Sequence, residues 1–282
     1  MTDTAADLPA SHAEHGTIAL LGAGVMGETL LSGLIRAGWD PARIVITERR
    51  ADRAAMLSTR YGVRAVSNPE AAAAGETVVL VVKPQDMEAL LAEIAADLRP
   101  GALVVCIAAG IATDYVQQRL PEGTPVVRVM PNTPALVDQG MAAISPGTSC
   151  TAEHLERTRA LLEATGRVVD VPEYQQDAVT ALSGSGPAYV FYIVEAMIEA
   201  GVLLGLPRAT AHELVVQTVY GAATMLKETG QHPTVLREQV SSPAGTTISA
   251  VRQLDDHRVR AAFMTAIEAA RDRSRALAAG QV

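Results

Sequence analysis

Three stretches of this chain, ETVVLVVKP (76–84), ALVVCIAAG (102–110) and PVVRVMPN (125–132), are apolar on both of the faces that a strand presents in alternation. A half-exposed strand alternates apolar with polar residues, so such runs demand cover on both sides, the environment of a parallel sheet wrapped in helices. TIALLG, from Thr17, and RIVIT (43–47) are shorter runs of the same kind. Helical spacing of apolar residues lies between them, from about Met26 to Ala37 with Gly38 as its stop, and again from Ala51 to Tyr61. Strands alternating with helices predict a doubly wound α/β domain of the Rossmann type, with a mostly parallel sheet, over residues 17–172.

Beyond Val171 and Pro172 no long β-branched run follows. Helical stretches are expected at roughly 175–204, 207–228, 243–255 and 258–278, with Pro207 opening the second of them after Gly205. Val190, Ile193, Val194, Met197 and Ile198 recur at helical spacing in a stripe wider than one neighbour needs, which predicts burial in an interface as well as in a core. Residues 173–282 therefore read as an all-helical domain for substrate binding and dimerisation. Residues 1–16 read as a polar tail without the basic and apolar regions of a signal peptide.

Composition narrows the function classes. The net charge is −8 with no run of Lys or Arg, which argues against a nucleic acid or an anionic membrane surface as partner. The two cysteines, Cys106 and Cys150, form no CxxC pair, and the six histidines form no cluster, so no metal site is expected and a reducing cytoplasm is the natural setting. No stretch reads as both long enough and free enough of charge to span a bilayer.

LLGAGVMG places Gly22, Gly24 and Gly27 in G-x-G-x-x-G spacing between the first strand and the first helix. The first glycine permits the tight turn, the second lets a pyrophosphate approach the backbone, and the third brings helix against strand. The helix N-terminus adds its partial positive charge, so dinucleotide binding is expected here. Glu48, at the end of the second strand, is placed for the ribose 2′-OH of NAD. Arg49 and Arg50, immediately after it, are suited to the 2′-phosphate of NADP, or form a solvated turn.

Read in order, the motifs are GAGVMG, VVKPQD (81–86), AAGI (108–111), MPNTPA (130–135), LSGSGPAY (182–189) and VSSPAGTT (240–247). This set, from Thr17 to about Leu277, resembles the pyrroline-5-carboxylate reductase family. LSGSGPAYVF and SSPAGTT are its most specific parts, with Ala244 standing where family members commonly carry the first glycine of an SSPGGTT-like stretch. The resemblance implies reduction of 1-pyrroline-5-carboxylate to L-proline by NADPH, with NADH as the alternative. It also implies an intertwined homodimer, a kind that often assembles further, for example into decamers. Carried onto this chain, Gly22, Ala23, Gly24, Val25, Met26 and Gly27 would contact the pyrophosphate, and Asn68 would lie near the adenine ribose and its 2′-phosphate. Val82, Lys83 and Pro84 would border the cofactor, Ala108, Ala109 and Gly110 the nicotinamide, and Met130, Pro131 and Asn132 the same crevice.

Hydride transfer to an imine needs orientation and a proton near the nitrogen, and a pyrroline imine is basic enough to arrive partly protonated. One hydroxyl and a few carboxylate-holding donors suffice. The resemblance assigns the hydroxyl to Thr247, and the carboxylate to Ser242 with Gly245, Thr246 and the backbone N–H groups of the turn. The plainer reading makes Ser242 a helix N-cap with Pro243 in the first turn. Lys83 suits a structural or cofactor-side role better than that of an acid, and Glu153, Glu156 and Glu163 read as a solvated face. Two rivals stand beside the reductase. One is a β-hydroxyacid dehydrogenase, for which SGSGPAYVFYIVE lacks the expected lysine, and the other is a non-catalytic NAD(P)-binding regulator.

Overall fold

Residues 16–278 are described by the computed structural model, so the expected tail lies, up to residue 15, outside the described residues. The first half begins with β1 (Ile18–Leu21), α1 (Val25–Arg36), β2 (Ile44–Thr47), α2 (Ala51–Tyr61), β3 (Arg64–Ala65) and α3 (Asn68–Ala74). It continues with β4 (Thr77–Leu80), α4 (Met87–Ile94), β5 (Leu103–Cys106), α5 (Thr113–Gln117) and β6 (Val126–Met130). Then come β7 (Gly140–Pro146), α6 (Ala152–Glu163), β8 (Gly166–Asp170) and α7 (Gln176–Val179). The strands form one sheet in the order β3-β2-β1-β4-β5-β6-β7-β8, parallel at every pairing except β6 with β7.

The apolar runs behave as their composition requires. β1, β2, β4 and β5 are buried at every position, and their alternate residues divide between two cores. Ile18, Leu20, Ile46, Val79 and Val105 face one side with Leu31 and Leu34 of α1 and Leu161 of α6. Ala19, Leu21, Val45, Val78 and Val104 face the other with Met87, Leu91 and Ile94 of α4. The period of two thus survives, with both phases apolar because both faces are covered.

β7 and β8 extend the sheet beyond what the sequence announces. GMAAISP is alanine-rich with Gly and Pro at its ends, and GRVVD follows a helix directly, so neither carries a long β-branched signal. Their pairing is decided by β6, which supplies the open edge. Glu153, Glu156 and Glu163 are exposed along α6, as a solvated face should be.

The later helices are α8 (Gly186–Leu203), α9 (Arg208–Thr229), α10 (Pro233–Gln239), α11 (Thr246–Asp256) and α12 (Val259–Ala278). The expected helix over 175–204 is divided: α7 passes into a π-helical turn at Thr180–Gly184 before α8 begins. By contacts the described residues fall into two compact units, one of residues 16–184 with 271–278 and one of 185–270. The division comes later than the 172/173 boundary read from the sequence because the intervening residues are tied to the sheet. Gln176 donates to Ser145 Oγ at 2.8 Å, and Glu173 accepts from the backbone N–H and hydroxyl of Thr113 at 2.7 and 2.6 Å. The last turns of α12 belong to the first unit, where Ser274 donates to Asp177 at 2.8 Å.

In the second unit, α8 and α9 approach closely at Gly201, where a Cβ would come within 2.8 Å of that of Ala211. The core that results is small: Ile198, Ala211 and Val215, with Val194 and Val219 against it. Val190, Phe191, Tyr192, Ile193, Met197 and Tyr220 remain exposed. A five-helix set with a core of three buried apolar side chains cannot offset the entropy of ordering its backbone, so these faces call for a partner. The run Glu173–Leu203 is also long and apolar enough, by length and composition alone, to cross a membrane, which corrects the sequence reading that no stretch is.

Candidate functional site

The sheet order reverses between β1 and β4, and open α/β sheets bind ligands outside the carboxyl ends of their strands at such a point. A cleft of about 470 Å³ opens there. Gly22, Ala23 and Gly24 line it after β1, Thr47, Glu48 and Arg49 at the end of β2 and just beyond it, and Ser67 and Asn68 at the start of α3. Val82 and Lys83 follow β4, and Asp86 and Glu93 close the side nearest α4.

The Gly-rich turn is held from behind. Gly22 N–H donates to Thr47 Oγ1 at 3.1 Å, and Ala23 N–H donates to the Thr47 carbonyl at 2.8 Å. Arg53 Nε donates to the Ala23 carbonyl at 3.2 Å, while its other nitrogen reaches Glu28 at 2.6 Å. Arg53 also lies 3.2 Å from Glu48, so one partly buried guanidinium joins the turn, α1 and the acid at the end of β2. Glu28 further accepts from Tyr61, whose hydroxyl is pushed above its ordinary pKa by burial and by that bond. Arg53 and Thr47 are absent from the sequence-derived site. The signal for Arg53 was the need of Glu28 and Glu48, two acids beside an anion-binding turn, for a common counter-charge.

The three glycines are required for different reasons. Gly22 has φ +102° and a Cβ there would lie 2.9 Å from the Val81 carbonyl. A Cβ on Gly27 would collide with the Gly22 carbonyl. Gly24 has nothing within 4 Å of where a Cβ would point, so packing does not explain it, and the bare backbone faces the cleft as an approaching pyrophosphate requires. The first turn of α1 adds N–H groups without intrahelical partners. These residues fit a dinucleotide.

The other positions expected to border the cofactor do not line this cleft. Val25, Met26 and Gly27 form the first turn of α1, and Arg50 is the residue before α2. Pro84 begins a 3₁₀ turn, and Ala108, Ala109 and Gly110 follow β5. Met130, Pro131 and Asn132 follow or end β6. Asn132 spends both ends of its amide on the chain, donating to the Ser183 carbonyl at 3.1 Å and accepting from Met141 N–H at 2.8 Å. Lys83 is exposed, without the burial an acid role needs. Burial pushes the Cys106 thiol up to about 11, which leaves it a neutral core group at the end of β5.

The Ser/Thr turn lies in the second unit. Ser242 does not cap a helix: α11 starts at Thr246, its N-cap is Gly245, and no side chain caps it. Gly245 N–H instead donates to the Ser242 carbonyl at 3.0 Å, closing a turn with Pro243 second and Ala244 third at φ +57°. That is the pattern of a type II turn, whose third position favours glycine. The hydroxyls of Ser242, Thr246 and Thr247 have no hydrogen-bond partner within the chain among the described residues. They stand beside the partnerless N–H groups of the first turn of α11.

Ala244 therefore carries strain that a glycine would not. Ala244→Gly should stabilise the protein by up to about 1 kcal/mol, the relief of the left-handed conformation less the extra freedom of the unfolded chain. Denaturant midpoints at one protein concentration would read it, and a loss of stability would show that alanine is not strained there.

The family model for pyrroline-5-carboxylate reductase dimerisation matches residues 173–277, and one for NADP oxidoreductase, coenzyme F420-dependent, matches residues 17–110. A pyrroline-5-carboxylate reductase of Corynebacterium melassecola is 48% identical over 93% of this chain and 98% of its own length. The chain belongs to the pyrroline-5-carboxylate reductase family. It is accordingly an oxidoreductase, and neither the hydroxyacid dehydrogenase nor the regulator alternative is favoured. The solved structure of a pyrroline-5-carboxylate reductase from Coxiella burnetii superposes with a TM-score of 0.89 at 36% identity, over 93% of this chain and 98% of the other. That of Plasmodium falciparum pyrroline carboxylate reductase with NADP bound gives 0.84 at 27% identity, over 93% and 98%. The exposed apolar faces of α8 and α9 lie within the residues that the dimerisation model matches.

Proposed function

We propose that this protein reduces 1-pyrroline-5-carboxylate to L-proline, taking NADPH with NADH as the alternative. The observation that carries the reading is an uncharged turn, Ser242–Thr247, whose hydroxyls and N–H groups are not consumed by capping, on a chain that also has a bare glycine cleft. The bound reduced nicotinamide supplies the hydride that the imine carbon receives, and the nitrogen takes one proton to become the secondary amine.

The chain's own residues bind and orient. The Gly22–Gly27 turn holds the pyrophosphate, and Asn68 with Glu48 or Arg49 and Arg50 meets the adenosine ribose. Val82, Lys83 and Pro84, the Ala108–Gly110 loop and the segment Met130, Pro131 and Asn132 border the cofactor at the strand ends. Ser242 and Thr246 hold the substrate carboxylate through their hydroxyls and the backbone N–H groups of Thr246 and Thr247 at the positive end of α11, where Gly245 shapes the turn. The Thr247 hydroxyl donates to the imine nitrogen. No ionisable side chain lies in that turn, so the proton arrives with the substrate or through Thr247.

The relative from Plasmodium falciparum binds NADP, which supports NADPH here. The small core of the second unit supports a homodimer, and a decamer is the higher assembly that such dimers form. Two unpaired cysteines agree with a cytoplasmic enzyme. The test is loss of nicotinamide absorbance on mixing NADPH with pyrroline-5-carboxylate. Turnover to proline is expected, and dinucleotide binding without turnover would sink the reading.

A further inference from the structure

Discrimination between NADPH and NADH turns on one group, the 2′-phosphate, so it depends on which donors the adenosine end of the cleft has to spare. Three of the nearby donors are already held by acids. Arg49 Nη2 donates to Asp86 Oδ2 at 3.3 Å. Asn68 Nδ2 donates to Glu93 Oε2 at 2.9 Å. The Ser67 hydroxyl donates to Glu70 at 2.8 Å within the capping box that opens α3. Among the cleft residues three carboxylates, Glu48, Asp86 and Glu93, stand against two cations, Arg49 and Lys83.

The Asn68 contact also fixes that side chain's sense. A carboxylate only accepts, so the amide nitrogen must face Glu93 and the carbonyl oxygen faces away from it. An outward oxygen suits a ribose hydroxyl, which donates, and repels a phosphate, which does not. Arg49 is the more movable of the two restrained groups: its side chain is 85% exposed, whereas Asn68 is half-buried. A phosphate can therefore draw it away, at the expense of the ion pair.

We propose that Asp86 and Glu93 are specificity-determining residues that hold down the preference for NADPH over NADH, by restraining Arg49 and Asn68, two of the groups that would meet the 2′-phosphate. This rests on reading the cleft as the dinucleotide site. Neither acid contacts the reacting atoms, so both act on affinity and leave the hydride step alone.

The test is calorimetric titration of the full-length protein with NADPH and with NADH, with no imine substrate present. Asp86→Asn should tighten NADPH about three- to fivefold while NADH changes less than about twofold, the scale of one exposed charge pair. Glu93→Gln should act in the same direction. In an Arg49→Ala background Asp86→Asn should be silent, because no guanidinium remains to be freed. Salt raised from about 0.02 to about 0.5 M should erase the difference. An equal gain for both dinucleotides, a gain that persists without Arg49, or weaker NADPH binding would overturn the proposal. If the unmodified protein bound neither dinucleotide, the functional reading would fall with it, and that result is distinct from the others.

Discussion

Gly24→Val should weaken NADPH and NADH binding together by about two to three orders of magnitude, the worth of two charge-assisted hydrogen bonds to a pyrophosphate. The melting temperature should move by no more than about 3 °C. Both halves follow from the same geometry. Gly24 has φ −67° and ψ −159°, an extended backbone that valine adopts without strain. Its missing Cβ would meet nothing within 4 Å, so the protein loses no packing. The branched side chain would instead project into the cleft lined by Gly22, Ala23 and Lys83, in the way of any phosphate approaching the first turn of α1. Gly27 makes the control. A Cβ there collides with the Gly22 carbonyl, so Gly27→Val should cost stability first and binding as a consequence. If Gly24→Val melted early, or still bound dinucleotide, the turn would be a packing device and not a phosphate site.

The second large effect is expected at the opposite chemical end. Thr247→Ala should lower kcat/KM for pyrroline-5-carboxylate by about ten- to a hundredfold, as one hydrogen bond of roughly 1.5–3 kcal/mol in a dry site is lost. NADPH affinity should hold. Thr247 is the second residue of α11 and partly buried, and its hydroxyl neither caps the helix nor bonds another described residue, so it has no structural duty to lose. Thr247→Ser keeps the hydroxyl and should recover most of the activity. A parallel fall in cofactor affinity, or failure of the serine variant to rescue, would make the residue structural.

The sheet was legible in the sequence because its strands must be apolar in both phases. Runs such as TVVL and LVVC can be buried nowhere else, and their helices follow from the periodicity between them. β7 and β8 were not legible, since alanine-rich and two-valine segments become strands only where β6 offers an edge. The same contrast holds at the site. Spacing alone placed Gly22, Gly24 and Gly27, and resemblance alone named Thr247.

Side-chain partnerships joining distant residues had no signature in the order of the chain. Arg53 touches Ala23, Glu28 and Glu48 only because α2 folds back over the Gly-rich turn. Asp86 and Glu93 reach Arg49 and Asn68 only because β4 lies next to β1 in the sheet. The sequence by itself determined the fold class, the Gly-rich turn and the family, because these depend on local period and on motifs a few residues long. Tertiary structure decided that Ser242 closes a turn instead of capping α11, and which acids restrain the cofactor cleft. Those outcomes depend on which hydrogen-bond donors the folded chain leaves unspent.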